Sequence, residues 1–412
     1  MSKAREVAVG VVRALTGAGH QAYFAGGCVR DELLGREPDD YDVATSAHPE
    51  QVRAVYPKVN EVGVSFGVLL VKQKGEVVEV ATFREEGVYS DKRRPDEVRF
   101  STAEADARRR DFTINALFLD PLSPGDDGAT VSPLGGRVID FVGGIEDLRA
   151  KRLRAVGNAG HRLEEDHLRA LRGVRLAARL GFTIEESTGA AMRARASGLD
   201  GVSRERVGEE MRKMLSHPSR AEAVRVMTAL GLDAPALQEE HVECEAQAVG
   251  GLPEGADVAT ALGAWAIDRA GLEGCAGVSA RWREALCLSN EETEALSSAL
   301  RGVGVLEKEW GGLGVAGRKR AASSAWFGRA LAIVNARNGA WGLRIEEDVA
   351  ELSGSFGGLA PEAWVSGDDL IAMGMKPGPR FREVLEAVYD AQLEGRVRTR
   401  QEALEEARRR GM

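Results

Sequence analysis

The spacing of hydrophobic and polar residues changes character near residue 150. Before it, residues 3 to 16 place apolar side chains at the three-and-four spacing of an amphipathic helix. Residues 23 to 25 read as a short strand, 29 to 34 as the opening of a second helix, and DYDVAT (40–45) as an alternating strand. GVLLVKQKGEVVEVATF (67–83) holds two β-branched runs around Lys74-Gly75, the signature of a hairpin. Residues 109 to 119 carry a mixed signal that opens as helix. PLSPGDDGATVSPLGG (121–136) has the Pro, Gly and Asp density of a long surface loop. Beyond 150 the spacing is helical throughout, broken at Gly181, 198–201, Pro218, Gly231, 250–255 and 311–317. The expected fold is α+β, a head with a small mixed β-sheet and helices followed by all-α segments, with boundaries at 1–148, 149–230, 231–345 and 346–412.

Composition narrows the class. A chain of 412 residues exceeds one ordinary core and implies several. No apolar run approaches the roughly 18 residues of a membrane span, and the N-terminus reads as amphipathic helix rather than signal peptide. A soluble, cytoplasmic protein with no membrane partner is expected. Cys28, Cys244, Cys275 and Cys287 form no CxxC pair, and the six histidines form no HxH or HExxH. Neither a zinc site nor a disulfide framework is indicated, so any metal must sit on carboxylates.

The formal net charge of -9 argues against a protein coated in nucleic acid. Its distribution is uneven, however. Arginine and lysine cluster from 149 to 179 and again from 376 to 410. GGLGVAG (311–317) contains GxGxxG, but no strand precedes it, so it reads as an inter-helix linker rather than a nucleotide loop.

One short stretch, FAGGCVRDELLGREPDDYDVAT (24–45), concentrates chemistry. Asp40 and Asp42 lie two apart in a predicted strand, so both carboxylates share a face about 7 Å apart. Such a pair suits Mg2+, which favours oxygen ligands. Glu79, an acid in an otherwise apolar strand, is the candidate third carboxylate, since an unpaired charge there would be costly. Gly26 and Gly27 stand at a strand-to-helix turn, where backbone N–H groups approach phosphate oxygens without side-chain interference, and Arg30 lies one turn further in. Triphosphate plus metal is the ligand that needs all of these groups together. Downstream, Asp166, Arg169, Arg172 and Arg175 recur at i, i+3 spacing, a stripe along one predicted helix. Three arginines on one stripe repel unless anions or carboxylates neutralise them. Cytosine and adenine both offer an amine beside an unprotonated ring nitrogen, so Asp166 would accept from the amine while Arg169 donates to the nitrogen. Uracil and guanine present the reverse polarity, at a cost of about 1–3 kcal/mol per mismatch.

GGCVRDELLGREPDDYDVAT (26–45) resembles the head signature of class II tRNA nucleotidyltransferases and the related bacterial poly(A) polymerases. TFREEGVYSDKRRPDEVRF (82–100), RRDFTINAL (109–117), DFVGGIEDL (140–148), EEDHLRALRGVRLAARLGF (164–182) and VSRERVGEEMRKML (202–215) resemble that family's successive motifs. The tail, 366–397, resembles it more distantly, and 240–330 carries no recognised motif. The resemblance implies metal-dependent addition of CMP and AMP, from CTP and ATP, to the 3′ end of tRNA, with no DNA partner. It implies a catalytic head, a helical nucleotide-selecting neck, a helical body and a tRNA-binding tail over the four segments. Asp40 and Asp42 match its metal ligands and Glu79 its third acid. Gly26, Gly27 and Arg30 match triphosphate contacts, Arg110 and Asp111 nucleotide contacts, and Asp166, Arg169, Arg172 and Arg175 the selecting helix. Three departures stand out: Lys92 where the family has Gly, His167 where it often has Pro, and the extended loop after Pro121. The loop from 84 to 99 is expected to act as a lever beside the metal site during the change from CMP to AMP addition; enzymes restricted to adding CC lack it. Alternatives are an A-adding or poly(A)-tailing enzyme, a sugar transferase with a DxD metal site, and an inactive nucleotide- or RNA-binding protein.

Overall fold

The computed structural model describes residues 2–57, 59–61, 67–85, 99–124 and 129–411. The chain forms two compact units, one of Met1–Glu210 with Val226–His241 and the other of Met211–Arg225 with Val242–Met412.

The first unit opens with α1 (Lys3–Gly17), capped by the Ser2 hydroxyl, which accepts from the Arg5 N–H at 3.4 Å. Its apolar stripe, Val7, Ala8, Val11, Val12 and Leu15, is buried in the main core. Then follow β1 (Ala22–Ala25), α2 (Gly27–Leu33), β2 (Asp42–Thr45), α3 (Pro49–Val55), β3 (Val59–Glu61), β4 (Val68–Gln73) and β5 (Glu76–Thr82). After the short pair β6 (Arg84–Glu85) and β7 (Arg99–Phe100) come α4 (Ala103–Arg108), a 3-10 turn at Thr113–Asn115, β8 (Phe118–Asp120) and β9 (Arg137–Ile139). Among the described residues, seven strands form one sheet in the order β3-β4-β5-β2-β1-β8-β9. It is mixed because β2 and β5 run parallel while the other neighbours are antiparallel. The predicted hairpin is present: Lys74 and Gly75 both take positive φ, 51° and 83°, as a two-residue turn between antiparallel strands requires.

Two expectations need correction. Residues 109–119 do not open as helix: α4 ends at Arg108 and a 3-10 turn at Thr113–Asn115 follows. Phe112, Ile114, Leu117, Phe118 and Leu119 are all buried, which suits a tight turn feeding a central strand better than a one-faced helix. Nor is the segment after Pro121 a plain surface loop. Val131 bridges Arg137, and Ser132 is buried with its hydroxyl donating to Glu32 at 2.5 Å.

The remainder of this unit is α5 (Gly144–Arg149), the parallel pair β10 (Arg152–Leu153) and β11 (Thr183–Ile184), α6 (Ala159–Glu165), α7 (Leu168–Leu180) and α8 (Glu186–Ala194). Helices α9 (Arg204–Leu215) and α10 (Arg220–Ala229) are divided between the units, and α11 (Asp233–Leu237) returns to the first.

The second unit is helical: α12 (Gln247–Gly250), α13 (Val258–Ala270), α14 (Val278–Leu286), α15 (Asn290–Gly304), α16 (Val315–Ala322), α17 (Phe327–Arg337), α18 (Gly339–Gly354), α19 (Gly367–Ala372), α20 (Pro379–Leu393) and α21 (Arg400–Gly411). Trp265, Trp282 and Trp310 are fully buried within it. GGLGVAG joins a 3-10 turn to α16, as a linker should. Among the described residues no helix is long and apolar enough to cross a membrane.

Candidate active site

Asp42 is the first residue of β2 and pairs in parallel register with Glu79 on β5. Asp40 lies two residues before the strand and is exposed. Tyr41 between them turns inward: its hydroxyl donates to Glu32 Oε1 at 2.9 Å and its ring lies 5.0 Å from that of Phe24. The alternation read from the sequence is thus kept without a strand at Asp40. Glu79 is exposed, which corrects the expectation of an acid buried in an apolar strand. Val78 and Val80 face the core, and the period of two puts Glu79 on the open face.

These acids burden one another. Burial, then Glu79 and Asp40, pushes the Asp42 carboxyl up to about 7, with Arg110 opposing. Partial loss of water against the neighbouring strands, and then Asp40, also raise Glu79 despite its exposed surface, against Arg84. A cation relieves that surplus of negative charge. Among the described residues no three of His, Cys, Asp and Glu converge to hold a metal by themselves. Magnesium usually takes only one or two carboxylates, with substrate phosphates and water completing its shell, and the Asp40–Asp42 pair fits that demand.

The glycine turn is built for close approach. Gly26 has φ 81° and ψ −128°, and a Cβ there would lie 3.0 Å from Arg110 Nη1. Arg110 is fixed from behind: Nε and Nη2 donate to Asp106 Oδ2 at 3.1 and 3.0 Å, Nη1 donates to the Asn115 carbonyl at 3.1 Å, and the guanidinium lies 5.1 Å from the Phe118 ring centroid. Burial alone would raise the Asp106 carboxyl, but Arg110 and Arg109 hold it below the usual range. Arg30 is mostly buried. It donates from Nε and Nη2 to Asp31 at 2.9 and 2.8 Å and from Nη1 to Asn115 Oδ1 at 2.6 Å, and its Nη2 would lie 3.6 Å from a Cβ on Gly27.

Asp166 is not on the predicted stripe. It caps the end of α6 with extended backbone, one residue before the cap of α7, and its carboxylate accepts from the Leu168 N–H at 3.1 Å and from Arg206 Nη2 at 2.6 Å. The helix breaks there because Asp166 bonds backbone ahead of it rather than continuing the ladder. Arg169, Arg172 and Arg175 do share α7, and each meets a protein carboxylate: Arg169 with Glu165, Arg172 with Asp111 at 2.9 Å, and Arg175 with Glu210 at 2.6 Å. Their mutual repulsion is therefore relieved within the protein and does not by itself call for a bound anion. Asp111 stays below its usual carboxylate range: burial would raise it, but Arg172 and the Phe112 N–H outweigh that. His167 packs its ring where a Cβ on Gly198 would come within 2.2 Å of Nδ1, so this departure from the resemblance is matched by a glycine opposite. Lys92 and residues 86–98 of the expected lever lie outside the described residues.

Three supporting residues were missed in the sequence. Asp106 was readable, since Arg109 and Arg110 stand at i+3 and i+4 from it. Asn115 stands four residues from Asp111, but its bond to Arg30 spans 85 residues, and Glu32 meets Arg5 across 27, so neither role was written in local spacing.

The fold and this carboxylate-and-glycine face have counterparts among known proteins. The family described as "Poly A polymerase head domain" matches residues 22–154, and "Probable RNA and SrmB- binding site of polymerase A" matches 181–241. The CCA-adding enzyme of Streptococcus pyogenes serotype M2 is 46% identical over 213 residues, 52% of this chain and 50% of that protein. That of Geobacillus thermodenitrificans is 42% identical over 236 residues, 57% and 55% of the two chains. The matched segment thus spans about half the length of these curated relatives. The crystal structure of the Bacillus stearothermophilus CCA-adding enzyme in complex with CTP is 30% identical, with a TM-score of 0.75 over 97% of this chain and 96% of that one. The Thermotoga maritima CCA-adding enzyme complexed with tRNA, 19% identical with a TM-score of 0.68 over 98% of this chain and 94% of that one, shares the fold. The head is of the poly A polymerase class. Within that class, the chain belongs to the family of CCA-adding enzymes.

Proposed function

We propose that this protein adds CMP and AMP to the 3′ end of tRNA, from CTP and ATP, without a nucleic-acid template. The observation that carries the proposal is the register of β2 and β5, which sets Asp42 beside Glu79 next to the Gly26-Gly27 turn. Asp40 and Asp42 would hold Mg2+, which when bound supplies charge neutralisation for the triphosphate and an activated 3′ hydroxyl. Glu79 keeps the field at that face negative, so the site is matched to a cation and not to bare phosphate. Gly26 and Gly27 admit the triphosphate close to backbone, and Arg30 binds it with N–H groups beyond the three engaged by Asp31 and Asn115. Arg110 and Asp111, fixed by Asp106 and Arg172, orient the nucleotide. Asp166 accepts the exocyclic amine of cytosine or adenine and Arg169 donates to the adjacent ring nitrogen. A carboxylate has about four acceptor positions, so the bonds from Leu168 and Arg206 orient Asp166 without exhausting it.

The test offers the purified protein tRNA ending at the discriminator base, at CC and at CCA, with each nucleoside triphosphate separately and with magnesium present. Ordered addition of C, C and A that stops at CCA is expected. Addition of A alone would reassign the protein as an A-adding enzyme, and long A tracts would favour the tailing activity for which its head class is named.

A further inference from the structure

Asn115 hydrogen-bonds three of the residues assigned above to the nucleotide, Arg30, Arg110 and Asp111. Its side-chain Oδ1 accepts from Arg30 Nη1 at 2.6 Å, and its Nδ2 donates to Asp111 Oδ1 at 3.4 Å. Its carbonyl accepts from Arg110 Nη1 at 3.1 Å and lies 3.8 Å from a Cβ built on Gly26. Asp111 passes the chain on through Oδ2, which accepts from Arg172 Nε at 3.0 Å on α7. A cation on the oxygen side and a carboxylate on the nitrogen side allow the amide only one orientation. Asn115 itself ends the tight turn Thr113–Asn115, whose backbone is buried beneath it, so the amide stands on a rigid support.

Asp31 grips Arg30 in a two-pronged fork, Nε to Oδ1 and Nη2 to Oδ2, that sets the guanidinium plane relative to the carboxylate. Arg30 and Asp31 are neighbours on α2 and can swing together, whereas the bond from Nη1 to Asn115 ties the pair to a separate element, the Thr113–Asn115 turn. Resting on the nucleotide site proposed above, we infer that Asn115 is a positioning residue that locks Arg30 in its phosphate-facing pose and ties it, through Asp111, to Arg172. Its role concerns the phosphate side of the nucleotide, so cytidine and adenosine substrates depend on it equally.

The test measures binding of CTP, of ATP and of inorganic tripolyphosphate to the full chain by calorimetry in magnesium, without tRNA. Asn115→Ala should weaken all three by a similar factor of about ten, the loss expected for a hydrogen bond to a charged group. In an Arg30→Ala background the same substitution should cost nothing further on tripolyphosphate, because the two act as one. Asn115→Ser, less disruptive to the turn, accompanies it and should fall in the same direction, with melting curves of both checking the fold. Unchanged tripolyphosphate binding in a folded Asn115 variant overturns the inference, and so do losses that multiply with Arg30→Ala. A selective loss of CTP or ATP alone also overturns it, by placing Asn115 at the base. Wild-type protein that binds none of the three overturns the nucleotide site itself.

Discussion

At the level of single residues, the site depends on backbone that only glycine supplies and on acids that tolerate each other poorly. Gly26→Ala would force a side chain into positive φ and against Arg110, 3.0 Å away. It should lower stability by about 1–3 kcal/mol in urea melts and displace Arg110, cutting nucleotide incorporation. Gly201→Ala, where no atom lies within 4 Å and φ is ordinary, should change neither. Asp42→Asn removes a proposed metal ligand and the most strained carboxyl of the face. It should abolish incorporation while leaving tRNA affinity near wild type in a filter-binding assay. Wild-type incorporation by that variant would refute the metal assignment. Both positions were legible in the sequence because their chemistry is local, a glycine pair and two acids two residues apart. Glu79 was legible as an acid but not in its exposure, since which face of β5 meets the core depends on α1 packing behind it.

Helices and strands set how side chains meet, and their caps titrate. Glu292 closes a capping box at the start of α15 by accepting from the Ser289 N–H at 2.7 Å, and it also accepts from Arg212 at 2.6 and 3.0 Å. The Arg212 hydrogen bond, against some burial and with help from Ser289, holds its carboxyl down to about 2. A depressed pKa means that Glu292 stabilises the fold fully above the ordinary glutamate range, and that this contribution fades as pH falls from about 4.5 towards 2. Glu292→Gln should therefore cost about 1.5 kcal/mol at pH 7, and its deficit relative to wild type should shrink in melts taken between pH 5 and pH 2.5. A deficit independent of pH would show that the charge is not what matters. The helix α7 teaches a related point. Its arginine spacing was evident from the sequence, but the carboxylates that meet it come from the chain before it, from Asp111 and from Glu210, and these remove the repulsion that seemed to demand a ligand.

Across the whole chain, the two units exchange segments, since 211–225 belongs to one and 226–241 to the other. No single cut releases either intact. Ending the chain at 230 would remove Leu232, Ala236 and Leu237, each fully buried, together with the carbonyls of Pro235 and Ala236 that Arg204 donates to. Ending it at 241 keeps those but strips the partners of Arg212, which donates to Glu292, and of buried Arg220, which donates to the carbonyls of Pro253 and Glu254. The expected order of melting temperature is the full chain, then 1–241, then 1–230, and equal melting of the two fragments would contradict the division. Both fragments should bind tRNA more weakly than the full chain, with the difference shrinking as salt rises. That difference should be smaller than the count of basic residues suggests, because Arg382, Arg396, Arg400, Arg409 and Arg410 each lie against a carboxylate.

By itself, the sequence determined what is written in short-range spacing: the amphipathic first helix, the Lys74-Gly75 hairpin, the helical second part, and the paired aspartates beside a glycine turn. Each depends on residues within a few positions of one another, where helical and strand periods act directly. Tertiary structure alone decided the parallel pairing that brings Glu79 to Asp42, the break that takes Asp166 off α7, the buried Glu32 that draws Arg5, Tyr41 and Ser132 together, and the place of Asn115 between Arg30 and Asp111. Each of those arrangements includes a partner tens of positions away: Glu79 for Asp42, Arg206 for Asp166, Arg5 and Ser132 for Glu32, and Arg30 for Asn115. Their energies come from burial and from charges finding partners across the fold, and no local period records which partner a buried charge will find.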